Sequence, residues 1–347
     1  MKQMKKKSNV LKVFGIVLTA AAVICGGLYF LALSHTQIVV GVIQHFAQGT
    51  VNTKNRHEPL HAPYEGVKKN GQYTMTEIHY SDEYPNSYLD ITYPDENTDT
   101  ARPTLIYFHG GGFFGGSKCD GDPLAESDAS ALLDDLCAEG FNLVNIDYVL
   151  VPEYHFPDPL IQANMAFDYL MKHADEYHLD MNRIVIMGSS AGAIMTSQLG
   201  SIITNPSYAE ELNIISALKP DQVRAVVLDD APLVYEQFSV GTKILVGNYV
   251  KGSIFLNEKE IRDYNNILWV NEDYPPAVLL GSEYYIDMRS MADALTKAGA
   301  AHELIDPLAE RNLQMPHCFV ALERVDETAA DAYDRMTAFI IHEVRAN

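Results

Sequence analysis

Residues 184–193, IVIMGSSAGA, constrain this chain more than any other stretch. Residues 184–187 are four consecutive apolar side chains, the pattern of a strand buried on both faces. Gly188-Ser189-Ser190-Ala191-Gly192 then fits G-x-S-x-G, and residues 193–199 read as the start of a helix. Passing from strand to helix over so few residues forces the central serine into a strained backbone conformation. It also demands small residues two places to either side, where a Cβ would strike strand or helix. The hydroxyl is then held clear of the sheet, beside the unpaired N–H groups of a helix N-terminus. Ser190 is the candidate nucleophile, and Ser189 is the residue to suspect if Ser190 is not. Taken alone, the motif also reads as a Gly/Ser-rich βα loop, so the rest of the chain has to decide.

The remainder alternates strands with helices. Residues 74–80 and 87–93 have the period of antiparallel strands around a turn at Tyr84-Pro85-Asn86. Residues 104–108, 141–146, 223–228, 277–280 and 302–305 are short strand candidates, and 128–139, 160–173, 288–298 and 323–344 read as helices. This order predicts an α/β fold, with a mostly parallel sheet covered on both faces. Residues 233–270 are longer than a connection needs and carry six aromatic side chains, so they are expected to form a cap insertion over the C-terminal edge of the sheet.

The N-terminus differs from the rest. MKQMKKK is followed by residues 13–33, 21 positions without a charge, which as a helix would span about 30 Å, the thickness of a bilayer core. The expected layout is a cytoplasmic basic tail at 1–12, a transmembrane anchor at 13–33, a linker or cap segment at 34–72 and a catalytic domain at 73–347. The lysines should stay cytoplasmic, placing the domain on the other side of the cell membrane. A secreted form, cleaved near Ala32 and Ser34, is the competing reading, but the apolar run is longer than a signal peptide requires. Of the net charge of −21, five lysines and no acids fall in residues 1–34. The rest of the chain holds 20 basic and 46 acidic side chains, a balance of −26 that argues against a nucleic-acid partner. Four widely spaced cysteines show neither a metal pattern nor a disulfide framework.

A second glycine motif raises the value of the first. HGGGF at 109–113 follows a strand, and its glycines can turn backbone N–H groups into a cavity. An oxyanion needs such donors at about 3 Å, and Gly111, Gly112 and Ala191 are the candidates. No P-loop lysine follows, so a phosphate cradle is disfavoured. His109 reads as a structural residue of that loop. In the chain order serine, acid, histidine, the base is His317, in a loop between the last strand and the last helix. The acid should follow the strand at 277–280, where Asp287 and Glu283 compete. Asp287 is preferred on order and reach, although an aspartate there could equally cap the next helix.

HGGGF, the run from Asp147 through Pro152-Glu153 and Phe156-Pro157, IVIMGSSAGA, and HCF at 317–319 together resemble the hormone-sensitive-lipase-like branch of the α/β-hydrolase superfamily, over roughly residues 73–345. The resemblance implies a serine carboxylester hydrolase with a cap and no metal or organic cofactor, acting on a small-molecule ester, here expected to carry a short acyl chain. Two departures stand out: Ser189 occupies the place where the family usually has aspartate, and Tyr284-Tyr285 stand about where its acid falls. A peptidase on the same fold would use the same residues. A binding or adhesion module that had lost the chemistry would have no reason to keep turn, glycine loop and histidine together.

Overall fold

The computed structural model describes residues 23–47, 52–55, 62–100, 102–119, 129–322 and 324–346. Nine strands form one sheet: β1 (Glu65–Val67), β2 (Tyr73–His79), β3 (Tyr88–Tyr93), β4 (Arg102–Phe108), β5 (Asn142–Ile146), β6 (Leu179–Ser189), β7 (Val223–Asp229), β8 (Ala277–Leu280) and β9 (His302–Ile305). Their spatial order is β1-β2-β3-β5-β4-β6-β7-β8-β9. The first three are joined antiparallel to one another and to β5, and all pairs from β5 to β9 are parallel. The expected mixture of an antiparallel edge and a parallel body is therefore present. β6 starts earlier than the apolar run implies, because Leu179 and Asp180 pair with Arg102 and Pro103 before a register shift.

The helices are α1 (Val23–Ser34), α2 (Thr36–Ala47), α3 (Ala129–Ala138), α4 (Asp158–Lys172), α5 (Ala191–Thr204), α6 (Pro206–Glu211), α7 (Val240–Lys251), α8 (Glu258–Tyr264), α9 (Tyr285–Ala298), α10 (Pro307–Arg311) and α11 (Glu327–Arg345). Alternation along the central strands splits the core in two. Ile106, Ile186 and Val226 face one way, against α4, α5 and α9. Leu105, Val185 and Val227 face the other, against α3 and α11. Each such side chain, fully buried, contributes roughly 1.5–3 kcal/mol. Every residue of α5 is buried, which suits a helix whose only polar side chains are small hydroxyls and one glutamine.

Residues 233–270 form α7, α8 and short 3₁₀ turns. α7 lies on the glycine loop: the Tyr249 ring stacks on Phe113 at 3.6 Å between centroids. α2 packs in turn on α7, with Val40 fully buried and the Thr36 hydroxyl donating to Asn248 Oδ1 at 3.2 Å. Only the second half of the expected 13–33 span falls within the described residues. Among these, no single helix is long and apolar enough to cross a membrane. α1 and α2 reach that length and composition only as a pair bent by 85°.

Candidate active site

Ser190 stands at the junction of β6 and α5 with φ 54° and ψ −113°. Such a conformation costs a non-glycine residue on the order of 1–3 kcal/mol and persists only where its surroundings enforce it. They do so here. A Cβ on Gly188 would lie 2.2 Å from the Gly192 carbonyl oxygen, and one on Gly192 would lie 2.0 Å from that of Phe108. The Ser190 N–H donates to the Asp229 carbonyl at 2.8 Å, and the Ser190 carbonyl accepts the Ile194 N–H at 3.1 Å, starting the helix. Ser189 points elsewhere. Its hydroxyl donates to Asp229 Oδ2 at 2.8 Å and accepts from the Tyr107 hydroxyl at 3.0 Å, within the core. The unusual residue before Ser190 is thus paired with a carboxylate from the neighbouring strand.

The glycine loop follows β4. Gly111 and Gly112 have φ of 100° and 59°, and a Cβ on Gly111 would lie 2.1 Å from the Gly115 carbonyl oxygen. The Gly111 carbonyl accepts from Phe114 and Gly115, closing a tight turn. Behind it, the Tyr148 hydroxyl donates to the carbonyls of His109 and Gly110 at 2.7 and 3.3 Å, and its ring stacks on His109 at 4.2 Å. Burial lowers the His109 pKa to about 4, so this imidazole is neutral at physiological pH and serves the loop. Gly192 packs on the Phe108 and His109 carbonyls, which brings the first turn of α5, with Ala191, alongside the loop carrying Gly111 and Gly112. The first N–H groups of a helix have no partner within it and remain available to an anion.

The carboxylate bonded to His317 is not the one expected. His317 Nδ1 lies 2.6 Å from Asp230 Oδ2, and Asp230 directly follows β7, not β8. The loop after β8 contributes donors to that carboxylate: Ser282 N–H at 2.9 Å, the Ser282 hydroxyl at 2.6 Å, Glu283 N–H at 3.0 Å and Tyr284 N–H at 2.8 Å. Burial alone would raise the Asp230 pKa. The bond to His317, its positive charge when protonated, and the Ser282 donors outweigh burial and hold the pKa below the usual range.

Asp287, the acid expected from chain order, takes other partners: its Oδ1 accepts the N–H groups of Leu233 and Val234 at 2.9 and 2.7 Å. It sits in the first turn of α9, which begins three residues earlier than the sequence implies, and so pins the chain leaving Asp230. Burial raises its pKa to about 6 against those two bonds. Glu283 Oε2 lies 3.7 Å from His317 Nδ1, on a side chain that is 59% exposed. The Tyr284 ring meets the His317 ring edge-on at 5.7 Å, and its hydroxyl lies 3.3 Å from Thr242 Oγ1 on α7. One signal for Asp230 was present in the sequence: Asp229-Asp230 ends an apolar strand just as Glu283 follows another.

One peptide ties these parts together. The Asp229 carbonyl receives the Ser190 N–H and lies 3.8 Å from Cys318 Sγ, the neighbour of His317, while the next residue is Asp230 itself. Among the described residues, no three His, Cys, Asp or Glu side chains converge as a metal site would require.

A strained serine at the end of a parallel strand, a glycine loop beside it and a part-buried histidine bonded to a buried aspartate define an α/β-hydrolase. The BD-FAE family model matches residues 89–284, more than half of the chain's length, and the chain belongs to that family. An acetyl esterase of Salmonella paratyphi B is 29% identical over 152 residues, 43% of each chain. One of Salmonella paratyphi A is 33% identical over 114 residues, 32% of each. The chain therefore spans less than half the length of these curated relatives. Esterase B of Lactobacillus rhamnosis superposes with a TM-score of 0.65 at 17% identity, over 81% of this chain and 89% of that one, a likeness of fold.

Proposed function

We propose that the protein is a serine carboxylester hydrolase. Ser190 Oγ attacks the acyl carbonyl carbon while His317 Nε2 takes its proton. The oxyanion is received by the N–H groups of Gly111, Gly112 and Ala191, and the proton passes to the departing alcohol. Water then repeats the sequence on the acyl-enzyme and releases the acid. Asp230, rather than Asp287, accepts the Nδ1–H of His317. It thereby fixes the tautomer that leaves Nε2 basic and stabilises the imidazolium formed during attack. The observation that carries this reading is the 2.6 Å bond between His317 and Asp230, one residue from the carbonyl that anchors the Ser190 turn.

A short acyl chain is the proposed specificity. It is supported by the acetyl esterase relatives and by α7 lying over the glycine loop, where Leu245 Cδ1 is 3.5 Å from the position of a Cβ on Gly112. An apolar pocket gains about 0.8 kcal/mol per methylene until it is full. The charge-free residues 13–33 and the lysines before them support an anchor in the cell membrane, with the catalytic domain on the extracytoplasmic side. A fluorescent phosphonate should label the native protein and not Ser190→Ala. Equal labelling of both removes Ser190 from the role.

A further inference from the structure

Residues 13–53 contain no Asp, Glu, Lys or Arg, so the uncharged stretch runs well beyond the proposed anchor and through the whole of α2. α2 is nevertheless part of the folded body. On its inner side Thr36 and Val40 are fully buried, the Thr36 N–H donates to the Gly252 carbonyl at 2.9 Å, and Gln44 Nε2 donates to the carbonyls of Val151 and Phe114 at 2.8 and 3.0 Å. The last bond reaches the glycine loop itself. The outer side is different. Ile38, Val42 and Phe46 follow one another at i, i+4 and i+8, so they form a single stripe, and they are 50%, 53% and 81% exposed. Before the bend, α1 exposes apolar side chains along its length, among them Val23, Leu28 and Phe30. Phe255, half exposed in the loop after α7, joins this surface, its ring 5.6 Å from that of Phe30.

Apolar side chains this large and this exposed are foreign to water, although His35 and His45 stand exposed among them. The 85° bend indicates what covers it. A bilayer entered by α1 along its normal would meet α2 lying in the membrane plane, with a stripe of large apolar residues turned away from the protein body. We propose that α2 is an interfacial helix. Its Ile38-Val42-Phe46 stripe rests at the boundary between headgroups and acyl chains, and α7 and the glycine loop are held against the lipid surface through it. This inference rests on the reading of residues 13–33 as an anchor and adds a second, structural contact with the membrane.

Tryptophan fluorescence separates the two, because Trp269 is the chain's one native tryptophan. The full chain would be reconstituted in vesicles of phosphatidylcholine brominated near the glycerol end of one acyl chain. Leu28→Trp, Val42→Trp and Phe46→Trp would be compared after subtraction of the wild-type signal, with unchanged hydrolysis of a water-soluble ester as the control for folding. All three added tryptophans should be blue-shifted and lose most of their emission to bromine. Quenching of Leu28→Trp alone overturns the interfacial helix and leaves the anchor standing. Quenching of none overturns both.

Discussion

Two buried aspartates, Asp230 just after β7 and Asp287 in the first turn of α9, hold charge in opposite ways. Asp230 and Asp287 are 0% and 5% exposed, so burial does not distinguish them. Asp230 collects a hydroxyl, three backbone N–H groups and an imidazole, and its pKa falls. Asp287 collects the N–H groups of Leu233 and Val234 from the loop it pins, both on one oxygen, and burial still raises its pKa to about 6. With burial nearly equal, the bond to His317, its charge when protonated and the Ser282 donors push the Asp230 pKa down, while Asp287, without them, is pushed up. The β8 end, where the acid was expected, supplies backbone dipoles to a carboxylate from the neighbouring strand.

The largest test of this contrast is Asp230→Asn. It should lower kcat by up to about four orders of magnitude, the loss expected when the histidine tautomer is wrong. Ser190 should remain labelled by the phosphonate, only more slowly. If this variant keeps its activity while Asp287→Asn loses it, the two roles are reversed.

Asp287 sharpens the contrast through stability. Its folded pKa lies above its unfolded value, so its contribution is fully present below about pH 4 and is lost as pH rises through about 6. Asp230 runs the other way: its folded pKa is depressed, and its contribution is present above about pH 4 and is lost as pH falls through the folded value. Denaturant titrations at pH 4 and pH 7 should therefore differ between wild type and Asp287→Asn. The wild type should lose on the order of 2 kcal/mol that the amide does not. Asparagine can keep both N–H bonds, since both end on Oδ1, and kcat should change little. Asp287→Ala, which leaves Leu233 and Val234 without an acceptor, should cost about 1–3 kcal/mol at either pH.

The smallest effect belongs to Glu283. Its charge is 3.7 Å from the imidazole but largely in solvent. Glu283→Gln should lower kcat/KM by less than about fivefold, the equivalent of roughly 1 kcal/mol for an exposed ion pair. A loss comparable to that of Asp230→Asn would show that the imidazole takes its orientation from the β8 loop after all.

Much of this was legible in the residues. Sharp turns and parallel strands are local demands. Ser190 needs Gly188 because a Cβ there would overlap the Gly192 carbonyl of the same turn, and Gly192 is kept bare as well by the Phe108 carbonyl of the neighbouring strand. Apolar runs of strand length between helical stretches have few folded solutions, and the sheet followed from them. The glycine loop was legible for the same reason: Gly111 holds a φ of 100° where a Cβ would strike the Gly115 carbonyl.

The carboxylate that bonds His317 was not legible, because that bond is a relation between chain segments far apart in sequence. Asp230 and His317 are separated by 87 positions, and the donors that keep Asp230 ionised come from a third segment at 282–284. Chain order favoured Asp287 over Glu283 but could not weigh hydrogen-bond donors that converge only when β7 and β8 pair. The sequence by itself determined the strained turn, the glycine loop and the parallel sheet, from sterics and periodicity, and placed His317 in a loop before the last helix. Only the tertiary structure decided which carboxylate faces that histidine, because a buried charge is held by donors that folding brings together.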